Sequence, residues 1–176
     1  GSGRVTTPQR RRVGGRGRAG CWQGTGRARY AVRPRFSLSS SDDLLDACAA
    51  LGKDVPGTWF TSHLNENLAE ISEVARLFAG SAHYLDTYDQ HGLVGARSVF
   101  AHNIHVEDRE LSLLAAQGAG VAHCPTSNAA LGSGLFPMRR HLEYGVTVAL
   151  GADVGAGQGF SLLNEGLQSC FHQQRP

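Results

Sequence analysis

Residues 98–123, SVFAHNIHVEDRELSLLAAQGAGVAH, read as strand, helix, strand. Ser98–His102 is a short β-prone run that ends in a histidine, and Gly120–His123 is another. Between them, Leu111, Leu114 and Ala115 fall on one side of a helix over Glu107–Gln117. A helical crossover between two short strands makes them parallel neighbours. The alternation continues in both directions. Upstream lie a strand at Arg29–Val32, broken by Pro34, and a helix at Asp42–Leu51 that Ser41 or Asp42 can cap. A strand at Trp59–Leu64 follows, then a helix at Leu68–Ala79 with Ile71, Val74, Ala75 and Phe78 inward, and a short helix at Tyr84–His91. Downstream, Pro125–Gly134 reads as a loop, Pro137–Tyr144 as a helix, Val146–Leu150 as a strand and Phe160–Gln173 as a last helix.

Five strands, each followed by a helix, make an α/β protein with a parallel sheet. Either an open doubly wound sheet or part of a (β/α)8 barrel fits that count. Polar residues favour the barrel. Arg35, His63, His102, Asn128 and Asp153 stand at or just past the C-terminal ends of strands, which converge on one face in a barrel. No G-x-G-x-x-G follows a first strand and no G-x-x-x-x-G-K-[ST] occurs, so nucleotide-binding signatures are absent.

The chain has 176 residues, 41% of them hydrophobic and 18% charged, enough for one domain with a real core. Its 23 glycines follow no G-X-Y period, which excludes collagen. No apolar run is long enough to span a membrane, and no secretory signal pattern opens the chain, so a cytoplasmic location is expected. Met138 is the only methionine, and the chain reads as a piece of something longer. The net charge of +2 conceals two parts. Residues 1–35 hold ten arginines and no acid, whereas residues 36–176 hold seven Lys/Arg against fifteen Asp/Glu. Residues 1–21, rich in Arg and Gly, are expected to be a disordered, non-native lead-in to a domain over 22–176. Such a tract could bind nucleic-acid phosphates. It lacks the interleaved aromatics of a single-strand binder, so nucleic acid is not the expected partner. Cys21, Cys48, Cys124 and Cys170 form no C-x-x-C pair and read as free thiols.

Three rim residues are metal-ligand types. A neutral imidazole at His63 suits zinc, and Glu66, three residues on, could take a proton from water. His102 is a second ligand or a donor to a reacting oxygen. Asp153, between Gly151 and Gly155, is a carboxylate that needs a partner if buried. Taken singly, His63 and His102 fit a structural role better than a ligand's and Asp153 fits either equally; together on one rim they point to a metal site. A cytidine-deaminase zinc site is excluded because H-x-E with P-C-x-x-C is missing, and a serine-hydrolase elbow because G-x-S-x-G is missing.

PRFSLS (34–39), TSHLNEN (61–67), FAHN (100–103), AHCPTSNAALGSG (122–134) and LGADVGAG (150–157) together resemble the guanine deaminases of the amidohydrolase superfamily. The resemblance implies a partial (β/α)8 TIM-type barrel, about strands four to eight with their helices. It implies zinc held by His63 and Asp153, with Asp153 also taking a proton from the attacking water. Glu66 would carry a proton to the purine ring, and His102 would polarise the reacting centre. Arg35 would bind the guanine carbonyl and Phe36 would pack on the ring. Guanine would be converted to xanthine and ammonia, in relatives that are homodimers when intact. Another aminated heterocycle is the alternative substrate class. The H-x-H pair that supplies two further ligands in this family is absent, and Arg33 and Ala152 stand where small hydroxylated residues are expected. Two ligands rarely hold zinc tightly. The chain is therefore expected to bind zinc weakly or not at all, to be inactive alone, and to self-associate through unpaired strand edges.

Overall fold

A computed structural model describes residues 28–174. The Arg/Gly-rich stretch 1–21 lies outside the described residues. The strands are β1 (Ala31–Val32), β2 (Trp59–Leu64), β3 (Ser98–His102), β4 (Gly120–His123) and β5 (Thr147–Leu150). The helices are α1 (Asp42–Asp54), α2 (Leu68–Leu77), α3 (Asp86–Asp89), α4 (Asp108–Gln117), α5 (Pro125–Ala130), α6 (Met138–Glu143) and α7 (Leu162–Gln173), with a 3-10 turn at Ser37–Ser39.

All neighbouring strands pair in parallel, and their order in the sheet is their order in the chain. A doubly wound sheet reverses its strand order at a switch point; a barrel steps round in one direction. The observed order is the barrel's. Sheet registers run Thr61↔Val99↔Gly120↔Thr147 and His63↔Ala101↔Ala122↔Ala149, which fixes the residues sharing one face.

Burial alternates along β2 and β3, with one face sealed and the other half open. The sealed face carries the core: Phe60, Leu64, Phe100 and Val121 meet Leu45, Val74, Leu111 and Leu114 from the helices and Tyr88 beside them. The rings of Phe60, Tyr88 and Phe100 lie within 6 Å of one another. Fully burying side chains of this size contributes about 1.5–3 kcal/mol each. Helix ends follow the expected chemistry. The Ser41 hydroxyl accepts from Leu44 N at 3.3 Å and the Asn67 side chain from Glu70 N at 2.9 Å. At α4, Glu107 and Glu110 form a reciprocal capping box, and Gly118 closes the helix with φ +68°.

Several expected boundaries shift. The first strand shortens to two residues, and the helix expected at Tyr84–His91 is α-helical only at Asp86–Asp89. Pro125–Gly134 is corrected from a loop: Pro125–Ala130 is helical. Pro125 at its first turn is preset for the helix, and Glu165 of α7 accepts from Thr126 N at 3.1 Å and from Thr126 Oγ1 at 2.7 Å. That distant carboxylate does the capping that local sequence lacks. Cys48, Cys124 and Cys170 are free thiols, as expected. Among the described residues no helix is long and apolar enough to cross a membrane.

Candidate metal and active site

His63 ends the open face of β2. Its peptide N–H donates to Arg35 O at 2.9 Å and its ring Nδ1 lies 2.7 Å from the same carbonyl. A carbonyl can only accept, so Nδ1 carries the proton and Nε2 is left as the acceptor. Burial lowers the pKa of this imidazole below its usual value, against the opposing pull of the Arg35 carbonyl. A neutral ring with a bare Nε2 is the form that binds a metal.

His102 ends β3 in register with Leu64, on the sealed side, yet its ring stacks on that of His63 with centroids 5.2 Å apart. The backbone explains this. His102 and Asn103 have φ of +70° and +47°, and the left-handed turn redirects the ring to the rim. Its Nδ1 meets Asn128 Oδ1 at 2.9 Å, and its Nε2 is buried without a hydrogen-bond partner. Asp153 follows β5 with φ +46°, and its Oδ2 accepts from Ser127 Oγ at 2.7 Å. The next turn is tight: Gly157 N donates to Asp153 O at 2.7 Å, and a Cβ on Gly157 would collide with the Ala152 carbonyl.

Ligand atoms of His63, His102 and Asp153 all lie within 4.8 Å of one another. Two imidazole nitrogens and a carboxylate oxygen converging at this distance suit a divalent cation such as zinc. The buried, unpartnered Nε2 of His102 passes the same test, because a lone pair aimed at a cation needs no other partner. Glu66 stands beside the cluster, its Oε2 3.6 Å from His102 Nε2 and its Oε1 accepting from Ser133 Oγ at 3.3 Å. Phe36 flanks it, 5.7 Å from the His63 ring, and the exposed Arg35 guanidinium lies 4.9 Å from the Phe36 ring centre. Every residue singled out from the sequence thus belongs to one rim.

The non-glycine residues with positive φ among those described are Arg35, Asn65, His102, Asn103 and Asp153, all at this rim. Such conformations persist where surrounding bonds enforce them. Here a buried network does so. Asn65 Nδ2 donates to Asn103 Oδ1 at 3.1 Å and to Glu110 Oε2 at 2.9 Å. Asn103 Nδ2 donates to His141 Nε2 at 2.9 Å, while His141 Nδ1 donates to Pro137 O at 2.9 Å. Glu110 also accepts from the Leu85 and Glu107 amides. Sequence reasoning missed these supports, together with Ser127, Ser133 and the Arg35 carbonyl. Their partners lie tens of positions away, and no spacing pattern marks them.

A profile of the Amidohydrolase family matches residues 8–176, a range that takes in part of the Arg/Gly-rich stretch. The probable guanine deaminase of Deinococcus radiodurans is 62% identical over 169 residues, covering 96% of this chain and 38% of that protein. Among solved structures, the Escherichia coli guanine deaminase superposes with a TM-score of 0.93 at 36% identity, covering 97% of this chain and 40% of that one. A guanine deaminase from C. acetobutylicum with guanine bound in its active site superposes with a TM-score of 0.83 at 32% identity, covering 94% and 38%. The chain therefore spans about two fifths of the length of these relatives. The strand order of a barrel, the ligand-bearing rim and a family match over nearly the whole length lead to one conclusion: the chain belongs to the amidohydrolase family.

Proposed function

We propose that this chain carries the strand-four-to-eight part of a guanine deaminase site, which hydrolyses guanine to xanthine and ammonia. The observation that carries this reading is the meeting of His63, His102 and Asp153 within 4.8 Å, with Glu66 alongside. His63 and Asp153 would hold zinc, and His102 Nε2 is close enough to join them. When bound, the zinc supplies a hydroxide nucleophile near neutral pH by lowering the pKa of its water.

The chain's own groups do the rest. Asp153 accepts a proton from the attacking water, its other oxygen being fixed by the Ser127 hydroxyl. Glu66 takes the other of the water's two protons and delivers it to the purine ring, and the proton accepted by Asp153 passes to the departing amine. The Glu66 carboxylate is held by Ser133, so little reorientation is needed. His102 stands across from Glu66 and polarises the reacting centre. Arg35 offers its guanidinium to the purine carbonyl and Phe36 offers a face for the ring, both on the segment whose carbonyl fixes His63. The family resemblance of the sequence motifs and the 62% identity to a probable guanine deaminase support guanine as substrate. With no H-x-H pair in the sequence, the isolated chain is inactive and weak in zinc.

The test is complementation. The chain is fused to the N-terminal part of the Deinococcus relative, which supplies the remaining strands, and the product is assayed on guanine, adenine and aminated triazines. Guanine turnover that Glu66→Gln abolishes without loss of bound zinc is the expected result. Turnover of another ring with guanine untouched would transfer the site to a different heterocycle.

A further inference from the structure

Residues 33–40 leave the sheet after β1 and carry Arg35 and Phe36 to the rim. Phe36 is half-buried and Arg35 exposed, so packing alone holds neither in place. Arg35 has φ +78°, which a non-glycine residue keeps only where its surroundings enforce it. On the N-terminal side of Phe36 the hold is the Arg35 carbonyl, bound by the backbone and ring of His63. On the C-terminal side stands Ser37, which is fully buried, and its hold comes from α3. Ser37 N donates to Tyr88 Oη at 2.9 Å, and Ser37 Oγ lies 2.6 Å from Thr87 Oγ1. Thr87 directs its own hydroxyl hydrogen to Tyr84 O at 2.8 Å, so Ser37 Oγ is the donor.

The core places Tyr88 for this task. Its fully buried ring lies against Phe60 and Phe100, with centroids 5.7 and 5.4 Å away. Its Oη stands 2.9 Å from Ser37 N, 2.9 Å from Ser62 Oγ and 2.9 Å from His63 O. An amide can only donate, so the Ser37 hydrogen points at the phenol oxygen. The phenol hydrogen then goes to His63 O or to Ser62 Oγ. Both acceptors belong to β2, so the link is the same for either choice. Ser62 Oγ lies 2.9 Å from Arg35 O in turn, which joins the two holds on Phe36 through one strand. Tyr88 thus ties the loop to the strand that bears His63, from a helix 51 positions beyond Ser37. A loop ordered in advance spares its ligand the entropy of ordering it.

We propose that Tyr88 and Thr87 are positioning residues: by holding the amide and hydroxyl of Ser37 they clamp the Pro34–Ser39 loop, and so keep Phe36 and Arg35 in the arrangement that receives the substrate ring. The effect on substrate rests on the guanine-site reading above; the clamp itself does not. Tyr88→Phe removes one oxygen and keeps the ring in the core, so it separates the clamp from the packing.

The test has two arms. In the first, amide hydrogen exchange of the full chain is followed by NMR. Ser37 should be protected in the parent and exchange at least about tenfold faster in Tyr88→Phe, while the β3 and β4 amides keep their rates. Fast exchange at Ser37 in the parent, or an unchanged rate in Y88F, overturns the clamp. In the second arm, the substitutions are placed in the fusion with the N-terminal part of the Deinococcus relative. Y88F should raise the KM for guanine about tenfold, as expected for one lost buried hydrogen bond, with kcat and bound zinc within about twofold of the parent. Thr87→Val, which removes the acceptor of the Ser37 hydroxyl and leaves the phenol, should raise KM by a smaller factor, and it decides even if Y88F does not fold. A fall in kcat or in bound zinc with KM unchanged would make these residues structural only and overturns the proposal. Faster Ser37 exchange in Y88F, in a fusion that does not turn over guanine, would uphold the clamp and remove the guanine-site reading instead.

Discussion

The two sides of the sheet are built to different standards, and the site spans both. Around β2 and β3 burial alternates cleanly, Phe100 and Leu64 are fully buried, and the helices that cover them are capped at their N-termini by their own flanking residues. Around β5 and α7 the apolar residues are left open: Leu163 is 89% exposed, Phe160 85% and Phe171 53%, and three of the four residues of β5 are exposed. His63, Glu66 and His102 come from the first side and Asp153 from the second. The contrast shows what a barrel strand needs. A strand with neighbours on both sides and helices behind it has its core side chains placed by packing, and hydrogen bonds only trim the rings of His63 and His102. A strand at the open edge, paired only with β4 among the described residues, places its functional side chain by hydrogen bonds. Ser127 and the turn at Gly157 do that for Asp153, and Glu165 steadies the helix that carries Ser127.

On this contrast, core truncation on the packed side has the largest effect. Phe100→Ala should destabilise the chain by about 3–5 kcal/mol, read as a lower urea midpoint. Glu165→Gln should cost about 1–3 kcal/mol by stranding Thr126 donors, and should speed hydrogen exchange at Thr126 while leaving the β2–β3 amides protected. Uniform deprotection would merge the two sides into one unit. Acid sharpens the comparison further. His123, stacked on Phe136 at 4.5 Å and with neither ring nitrogen bonded, has its pKa pushed down to about 4 by burial, with lesser contributions from His172, His141 and His102. The folded-state pKa lies below the unfolded value, so the neutral form's stability is complete above the ordinary histidine range and is lost as the pH falls toward about 4. One proton changes stability by at most about 1.4 kcal/mol per pH unit. His123→Leu should flatten the pH dependence of thermal unfolding over that window; an unchanged slope would place the acid sensitivity elsewhere. The smallest effect is expected on the open side. Leu163→Ser should change stability by no more than about 0.5 kcal/mol, yet shift sedimentation toward the monomer because it removes an exposed apolar contact.

Much of this was legible in the sequence, for definite reasons. Strands with alternating or continuous apolar runs, separated by amphipathic helices, identify a parallel α/β sheet because both periodicities are local. His63, His102 and Asp153 stood out because each ends a strand. What stayed hidden depends on partners far along the chain. The helix at Pro125–Ala130 is stabilised by Glu165, 39 positions from Thr126, so its Ser- and Asn-containing sequence reads locally as loop. The strand parity of His102 points it to the wrong side of the sheet until its positive φ is known. Arg35 was singled out for its guanidinium, but its backbone carbonyl is what orients His63, and no side-chain motif encodes a carbonyl's direction.

Calorimetric zinc titration of the chain, with His63→Ala and Glu66→Gln alongside, tests the central claim most directly. The account predicts one weak equivalent of zinc that His63→Ala eliminates and Glu66→Gln retains, because His63 is a ligand and Glu66 a proton carrier. Zinc bound equally by His63→Ala, or lost in Glu66→Gln, would contradict the site as built here.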